Sequence, residues 1–228
     1  MMPDPVSVRP VTSYRRRRPL PAISLMVVLG LVATIVWIRT LDTAERRNDA
    51  ACAAPQTTLG DQQPPRGEVV AGNALDGVDP LPPDAVKVTV LNANGQRGQA
   101  GLVASVLSGD LGFAKAGEPT NDPVYPDFDM DCHAQIRFGE NGVAAGRTLS
   151  LVVPCAELIR DARPDDTVDL ALGKQFDALR PGPEAKEVLR QLTELAAQPP
   201  PDASGGQQGV LTTVEPALLA SARAAVRC

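Results

Sequence analysis

The hydrophobic pattern divides the chain into segments of different character. From Pro19 to Ile38 no residue is charged, and Ile23 to Ile38 is apolar on every helical face (Leu25, Met26, Val27, Val28, Leu29, Leu31, Val32, Ile35, Val36). A run of that length spans ~30 Å as a helix, the thickness of a bilayer's hydrocarbon core, and all-round apolarity suits lipid rather than a half-buried surface helix. It predicts a single transmembrane helix over 19–38, with Trp37 in the interface at its outer end.

Downstream, the stretch from Gly60 to Pro83 carries Pro64, Pro65, Pro80, Pro82 and Pro83 together with Gly60, Gly67, Gly72 and Gly77. That density of breakers predicts a spacer, so residues 39–84 read as stalk and linker. From Val86 the pattern becomes that of a folded domain. Val86, Val88 and Val90 alternate with polar positions as a strand, Asn92 to Gly95 ends it, and Ala100 to Leu111 carries Leu102, Val103, Val106 and Leu107 at helical spacing, with Gly112 as C-cap. Phe113 to Gly117 and Gln135 to Gly139 read as strands, Gly142 to Ile159 as a helix that Pro154 ends or kinks near Val153, and Thr167 to Leu172 as a strand. The order βαββαβ predicts an α+β fold, a split βαβ sandwich over residues 85–177 with two helices on one face of an antiparallel sheet. Glu184 to Gln198 and Glu215 to Val226 add two helices in a C-terminal extension, 178–228.

Charge gives the predicted membrane helix a direction. The whole chain has Lys+Arg 22 against Asp+Glu 27, net -5. Residues 1–38 hold five Arg and one Asp, net +4, which leaves 17 Lys+Arg and 26 Asp+Glu, net -9, for the rest. The basic tail 1–18 therefore stays in the cytoplasm and the C-terminal domain lies outside it, in a single-pass inner-membrane protein. A cleaved signal peptide is the competing reading, because Ala51-Cys52-Ala53-Ala54 is rich in small residues, but it lies well beyond the apolar run.

Net acidity and only seven aromatics (Phe 4, Tyr 2, Trp 1) argue against a nucleic-acid partner, and a single histidine leaves little from which to build a zinc centre or a Ser-His-Asp triad. The four cysteines, Cys52, Cys132, Cys155 and Cys228, lack any C-x-x-C spacing and lie on the outer side of the membrane segment, so they are expected as disulfides rather than as a metal or redox site. Of the three possible connectivities, the sequence favours Cys132 with Cys155, inside the domain, and Cys52 with Cys228, tying the chain's end to the stalk. His133 reads as a loop residue. Asp127, Asp129 and Asp131 form a D-x-D-x-D run that lacks the glycine and the terminal glutamate of a calcium loop, and so reads as a solvated acidic loop. At the first strand-to-helix turn, Asn92, Asn94, Gly95 and Gly98 could present backbone N–H groups to an anionic ligand, although the two glycines also suit a positive-φ turn. No catalytic residue, cofactor or metal site is expected.

The residues Val88-Thr89-Val90-Leu91-Asn92-Ala93-Asn94-Gly95, then Gly98-x-Ala100 and Leu111-Gly112-Phe113, resemble the LytR C-terminal domain family, as do the Ala144-Ala145 helix and the strand Thr167-Val168-Asp169-Leu170-Ala171-Leu172-Gly173. A single membrane helix, a Pro-rich spacer, this domain and four cysteines together are similar to envelope-integrity proteins of mycobacteria. The resemblance implies a non-enzymatic role in cell-envelope and cell-wall integrity, with a wall polymer or an envelope protein as partner. The alternatives are a glycopolymer transferase or hydrolase, or an accessory subunit of a LytR-CpsA-Psr ligase. The phosphotransferase chemistry of that family belongs to a separate upstream domain that this sequence does not contain.

Overall fold

The computed structural model describes residues 26, 28–35, 51–56, 64–198 and 213–224. The chain forms two units, Met1–Thr43 and Ala44–Cys228. In the first, residues 28–35 are helical, with Val28, Leu29, Leu31, Val32 and Ile35 exposed. Among the described residues no helix is long and apolar enough to cross a membrane, and much of the predicted span 19–38 lies outside them.

The second unit is built on one mixed sheet. Its strands are β1 (Glu68–Val70), β2 (Lys87–Asn92), β3 (Ala114–Lys115), β4 (Thr120–Asn121), β5 (Ala134–Phe138), β6 (Ala156–Arg160) and β7 (Val168–Leu172), in the order β1-β6-β5-β7-β2-β3, with β4 also on β2. The helices are α1 (Gln99–Ser105, continued by a π turn over Val106–Asp110), α2 (Val143–Val152), α3 (Pro183–Ala197) and α4 (Pro216–Ala224). β5 and β6 run parallel with Ala134 opposite Ala156, and β2 and β7 run parallel with Val88 opposite Val168, while β5 and β7 are antiparallel.

The α+β class stands, and the antiparallel split sandwich does not. The reason is the predicted helix Gly142–Ile159, which ends at Val152. Pro154 lacks the N–H that another turn requires, and Ala156, Leu158 and Glu157, Ile159 then alternate across the two faces of a new strand, β6. β5-α2-β6 is thus a parallel crossover unit. Gly112, at φ 77°, closes the first helical segment as expected, but Leu102 points to solvent (71% exposed), leaving Ala100, Val103, Ala104 and Leu107 to face the core.

The spacer and the C-terminal extension also need correction, because both belong to the domain. β1 pairs antiparallel with β6, and Leu75, only 1% exposed, enters the main core from a chain of turns over Ala71–Val78. Proline and glycine serve that packing rather than prevent it. Gly67 (φ 79°) lies where a Cβ would meet the Arg160 carbonyl oxygen at 2.6 Å, so only glycine brings β1 onto β6 there. α3 buries Ala185, Val188, Leu189 and Leu192, and α4 buries Ala222, all in the same core.

Alternation along the central strands creates two unlike faces. Val88, Val90, Ile136, Phe138, Leu158, Val168, Leu170 and Leu172 turn to the helices and form the main core. The opposite face carries Gln135, Arg137, Glu157 and Asp169 beside a second apolar cluster of Leu91, Ala93, Val124, Tyr125, Met130, Cys132, Ala171 and Cys52.

Candidate functional site

The turn predicted as a ligand contact is occupied by its own structure. Gly95 (φ 78°) and Gly98 (φ 81°) take the left-handed conformation their sequence suggested. The Asn92 Oδ1 accepts hydrogen bonds from the backbone N–H of Asn94 (3.3 Å) and Gly95 (2.9 Å). The Asn94 Nδ2 donates to the Gly173 carbonyl (2.8 Å) and to Gln99 Oε1 (2.8 Å), while the Gln99 Nε2 donates to the Phe176 carbonyl (3.1 Å). Asn92 therefore closes the turn on itself, Asn94 fastens the loop after β2 to the loop after β7, and α1 begins with only seven α-helical residues. The arrangement fixes a turn in which both asparagine side-chain oxygens accept from backbone N–H groups.

The polar groups that the structure gathers lie on the face away from the helices. Arg137 and Asp122 form a two-pronged ion pair, Nη1 to Oδ1 at 2.8 Å and Nη2 to Oδ2 at 2.6 Å, with Arg137 3% and Asp122 1% exposed. The Gln135 Oε1 accepts from Arg137 Nε (3.1 Å) and Nη2 (2.8 Å), and the Gln135 Nε2 donates to Glu157 Oε2 (2.7 Å) and to the Tyr125 hydroxyl (3.3 Å). Arg66 approaches Glu157 at 3.6 Å, so two guanidinium groups and two carboxylates balance one another along the chain of contacts. Burial pushes the Tyr125 hydroxyl above its ordinary pKa of 10.0, against the pull of Arg66 and Arg137. Neutralised and hydrogen-bonded in this way, the network can position main chain; it presents no unpaired nucleophile and base in contact.

What it positions is the segment 51–56. The Cys52 N–H donates to Glu157 Oε1 (3.2 Å), the Tyr125 hydroxyl donates to the Ala53 carbonyl (2.8 Å), and Arg66 Nη2 donates to the Cys52 carbonyl (2.5 Å). The D-x-D-x-D run completes the strap: Asp131 Oδ1 accepts from the Ala53 N–H (3.1 Å) and Asp129 Oδ2 from the Gln56 N–H (2.7 Å). The acidic loop is thus part of a backbone cradle, and no group of three or more acidic, histidine or cysteine residues suited to a metal exists among the described residues.

The cysteine pairing differs from the expectation. Cys52 is bonded to Cys132, with Cα atoms 4.8 Å apart, so neither Cys132 with Cys155 nor Cys52 with Cys228 is formed. The physical reason is the two-faced sheet: Cys132 lies in the cluster beneath the strap, whereas Cys155 follows the exit of α2 and lies outside that cluster. Cys155 is also in a disulfide, and Cys228 lies outside the described residues. His133 packs on Phe176 with ring centroids 5.0 Å apart, a loop residue as expected.

Sequence reasoning missed Asp122, Tyr125, Gln135, Arg137 and Glu157, because period-2 alternation makes a polar residue between apolar ones read as solvent-facing. The one available signal was Gln135 and Arg137 alternating with Ala134, Ile136 and Phe138, together with an acidic loop long enough to cover them.

The class of protein is set by a mixed sheet with helices on one face and a disulfide-closed strap on the other, and similarity places it. The profile of the LytR cell envelope-related transcriptional attenuator family, LytR_C, matches residues 85–176. The cell envelope integrity protein Cei of Mycobacterium tuberculosis is 41% identical over 189 residues, which cover 82% of this chain and 86% of that protein. The chain belongs to the family of that protein, with a LytR_C domain at its centre. A crystal structure of the soluble domain of a conserved hypothetical secreted protein from Mycobacterium marinum superposes with a TM-score of 0.59 at 40% identity, covering 71% of this chain and 99% of that one.

Proposed function

We propose that the protein is a membrane-anchored, extracytoplasmic and non-enzymatic component of the cell envelope that supports wall integrity by binding a wall polymer or an envelope protein. The observation that carries this reading is the 41% identity to a cell envelope integrity protein over 82% of the chain. Three further features support it. The disulfides suit an oxidising compartment outside the cytoplasm. The uncharged stretch 19–38, with arginines before it, suits a single span with its C-terminal side outside. The buried polar groups hold the strap and one another, an arrangement suited to a scaffold.

The test is deletion of the gene in its host followed by exposure to wall-active antibiotics and detergent. Increased sensitivity, restored by the full chain, is the expected result, and unchanged sensitivity overturns the role. Turnover of lipid-linked or wall polymer by the purified domain, abolished by one acidic substitution, would overturn the non-enzymatic part.

A further inference from the structure

The Cys52–Cys132 bond changes how the N-terminal part of the chain is attached to the domain. Its two cysteines are 80 positions apart, and the ring they close contains β1, β2, α1, β3 and β4. Everything before Cys52 is therefore joined to β5 and the rest of the sheet by two covalent routes, the main chain through residues 53–131 and the disulfide itself. One cut of the main chain anywhere in 53–131 leaves the second route intact. Within that ring lies the Pro/Gly-bearing stretch before β1, including exposed Pro64 and Pro65, the kind of surface chain at which proteolytic nicking concentrates.

The second route is also well protected. Cys52 is 7% and Cys132 1% exposed, so a thiolate has little access to either sulfur. Around the bond, Glu157, Tyr125, Arg66, Asp131 and Asp129 hold the backbone of residues 52–56 at both N–H and carbonyl groups. We infer that the strap is a cleavage-tolerant anchor: the folded domain stays attached to the N-terminal segment after an extracytoplasmic endoprotease cuts before β1. Detachment requires a second event, two-electron reduction of Cys52–Cys132 by a dithiol, which becomes a disulfide as the two cysteine thiols form. Applied to retention in the envelope, the inference rests on the reading of 19–38 as a membrane span.

The experiment uses the full chain in bacterial membranes, with a site-specific protease sequence substituted within 57–63 and a tag after Cys228. After complete cutting, the two fragments are expected to migrate as one species on a non-reducing denaturing gel and to separate with dithiothreitol. The tagged domain is expected to remain in the membrane pellet, in urea as well as in buffer, until dithiothreitol added in urea, where the strap is open to the thiolate, releases it. Separation of the fragments without reductant, or loss of the domain from the pellet on cutting alone, overturns the anchor. Uncut protein in the supernatant overturns the membrane-span reading instead, while the gel still decides whether the strap holds the fragments together.

Discussion

The two faces of the sheet solve the same burial problem by different means. On the helix side, Ile136 and Phe138 are fully buried among apolar side chains, and the driving force is removal of apolar surface from water, which needs no particular pairing. On the strap side, Gln135 and Arg137 of the same strand are buried almost as deeply, at 0% and 3% exposure. There, burial is tolerable because Gln135 and Arg137 meet Asp122, Glu157 and Tyr125, since an unpaired buried charge costs several kcal/mol. Among the described residues, Arg66 Nε and Asp129 Oδ1 at the strap itself are buried without a partner. The helix face can thus accept many apolar sequences of similar volume, whereas the strap face depends on particular residues that are far apart in sequence.

The largest break in this comparison should come from the covalent closure of the strap face. Replacing both Cys52 and Cys132 by Ser opens a loop of 80 positions and is expected to cost about 4–5 kcal/mol by loop entropy. Denaturant unfolding of the oxidised wild type and the double variant checks it. A loss below about 1 kcal/mol would mean that the hydrogen bonds alone hold the strap.

Neighbouring residues on β5 test the two faces directly. Arg137→Met leaves Asp122 buried without its cation, for an expected loss of about 3–5 kcal/mol. Ile136→Ala opens a cavity under the helices, for about 2–5 kcal/mol. The magnitudes overlap, and a cycle separates the causes. Adding Asp122→Asn, which keeps the side-chain oxygen near the Val124 N–H, should recover part of the Arg137→Met loss and none of the Ile136→Ala loss. Equal behaviour in the two backgrounds would show that Arg137 acts by volume rather than by charge.

The same contrast explains which parts were legible in the sequence. The apolar face announces itself locally: Val88 and Val90, then Val168, Leu170 and Leu172, alternate within single strands, and α3 shows Val188, Leu189 and Leu192 at helical spacing. The strap face has no local signature, because Asp122 finds Arg137, and Cys52 finds Cys132, only once β5 lies beside β6 and β7. Missing β6 was decisive. A helix run through Pro154 to Ile159 removes the strand that carries Glu157, and without Glu157 the Cys52 N–H loses its carboxylate acceptor and Gln135 Nε2 keeps only the Tyr125 hydroxyl. The spacer reading failed for a related reason: proline and glycine counts report on irregular backbone, and this irregular backbone is packed, with Leu75 in the core. At the Asn92–Gly98 turn, by contrast, both the positive-φ glycines and the turn were legible, and only the use of the asparagine side chains was not.

Asn94→Ala probes that turn with a smaller effect. It removes donation to the Gly173 carbonyl and to Gln99, for an expected loss of about 1–2 kcal/mol. If Asn94 serves structure alone, wall-stress tolerance at permissive temperature should be retained while the unfolding midpoint falls. Loss of tolerance with an unchanged midpoint would restore the turn as a contact site.

The smallest expected effect is a dependence on pH, and it concerns the chain's single histidine, placed just before β5. Burial against Phe176 lowers the His133 pKa below its ordinary 6.5, against a hydrogen bond to the Gln175 backbone that favours the charged form. Above pH 6.5 the imidazole is neutral in both folded and unfolded chains, so this group gives no slope there. As pH falls through 6.5 the unfolded chain takes up a proton that the folded chain resists, and stability declines until the folded pKa is reached. Asp161 acts in a separate, lower window. Burial would raise its pKa, but Arg163 at 2.6 Å holds it below 3.8, so its contribution is complete above 3.8 and is lost as pH falls through the folded value. Unfolding midpoints measured between about pH 7.5 and 5 should therefore fall in the wild type and stay nearly level in His133→Gln, because ordinary carboxylates titrate lower. An equal decline in the variant would show that the slope does not come from His133 and that its burial against Phe176 does not set the acid sensitivity of the domain.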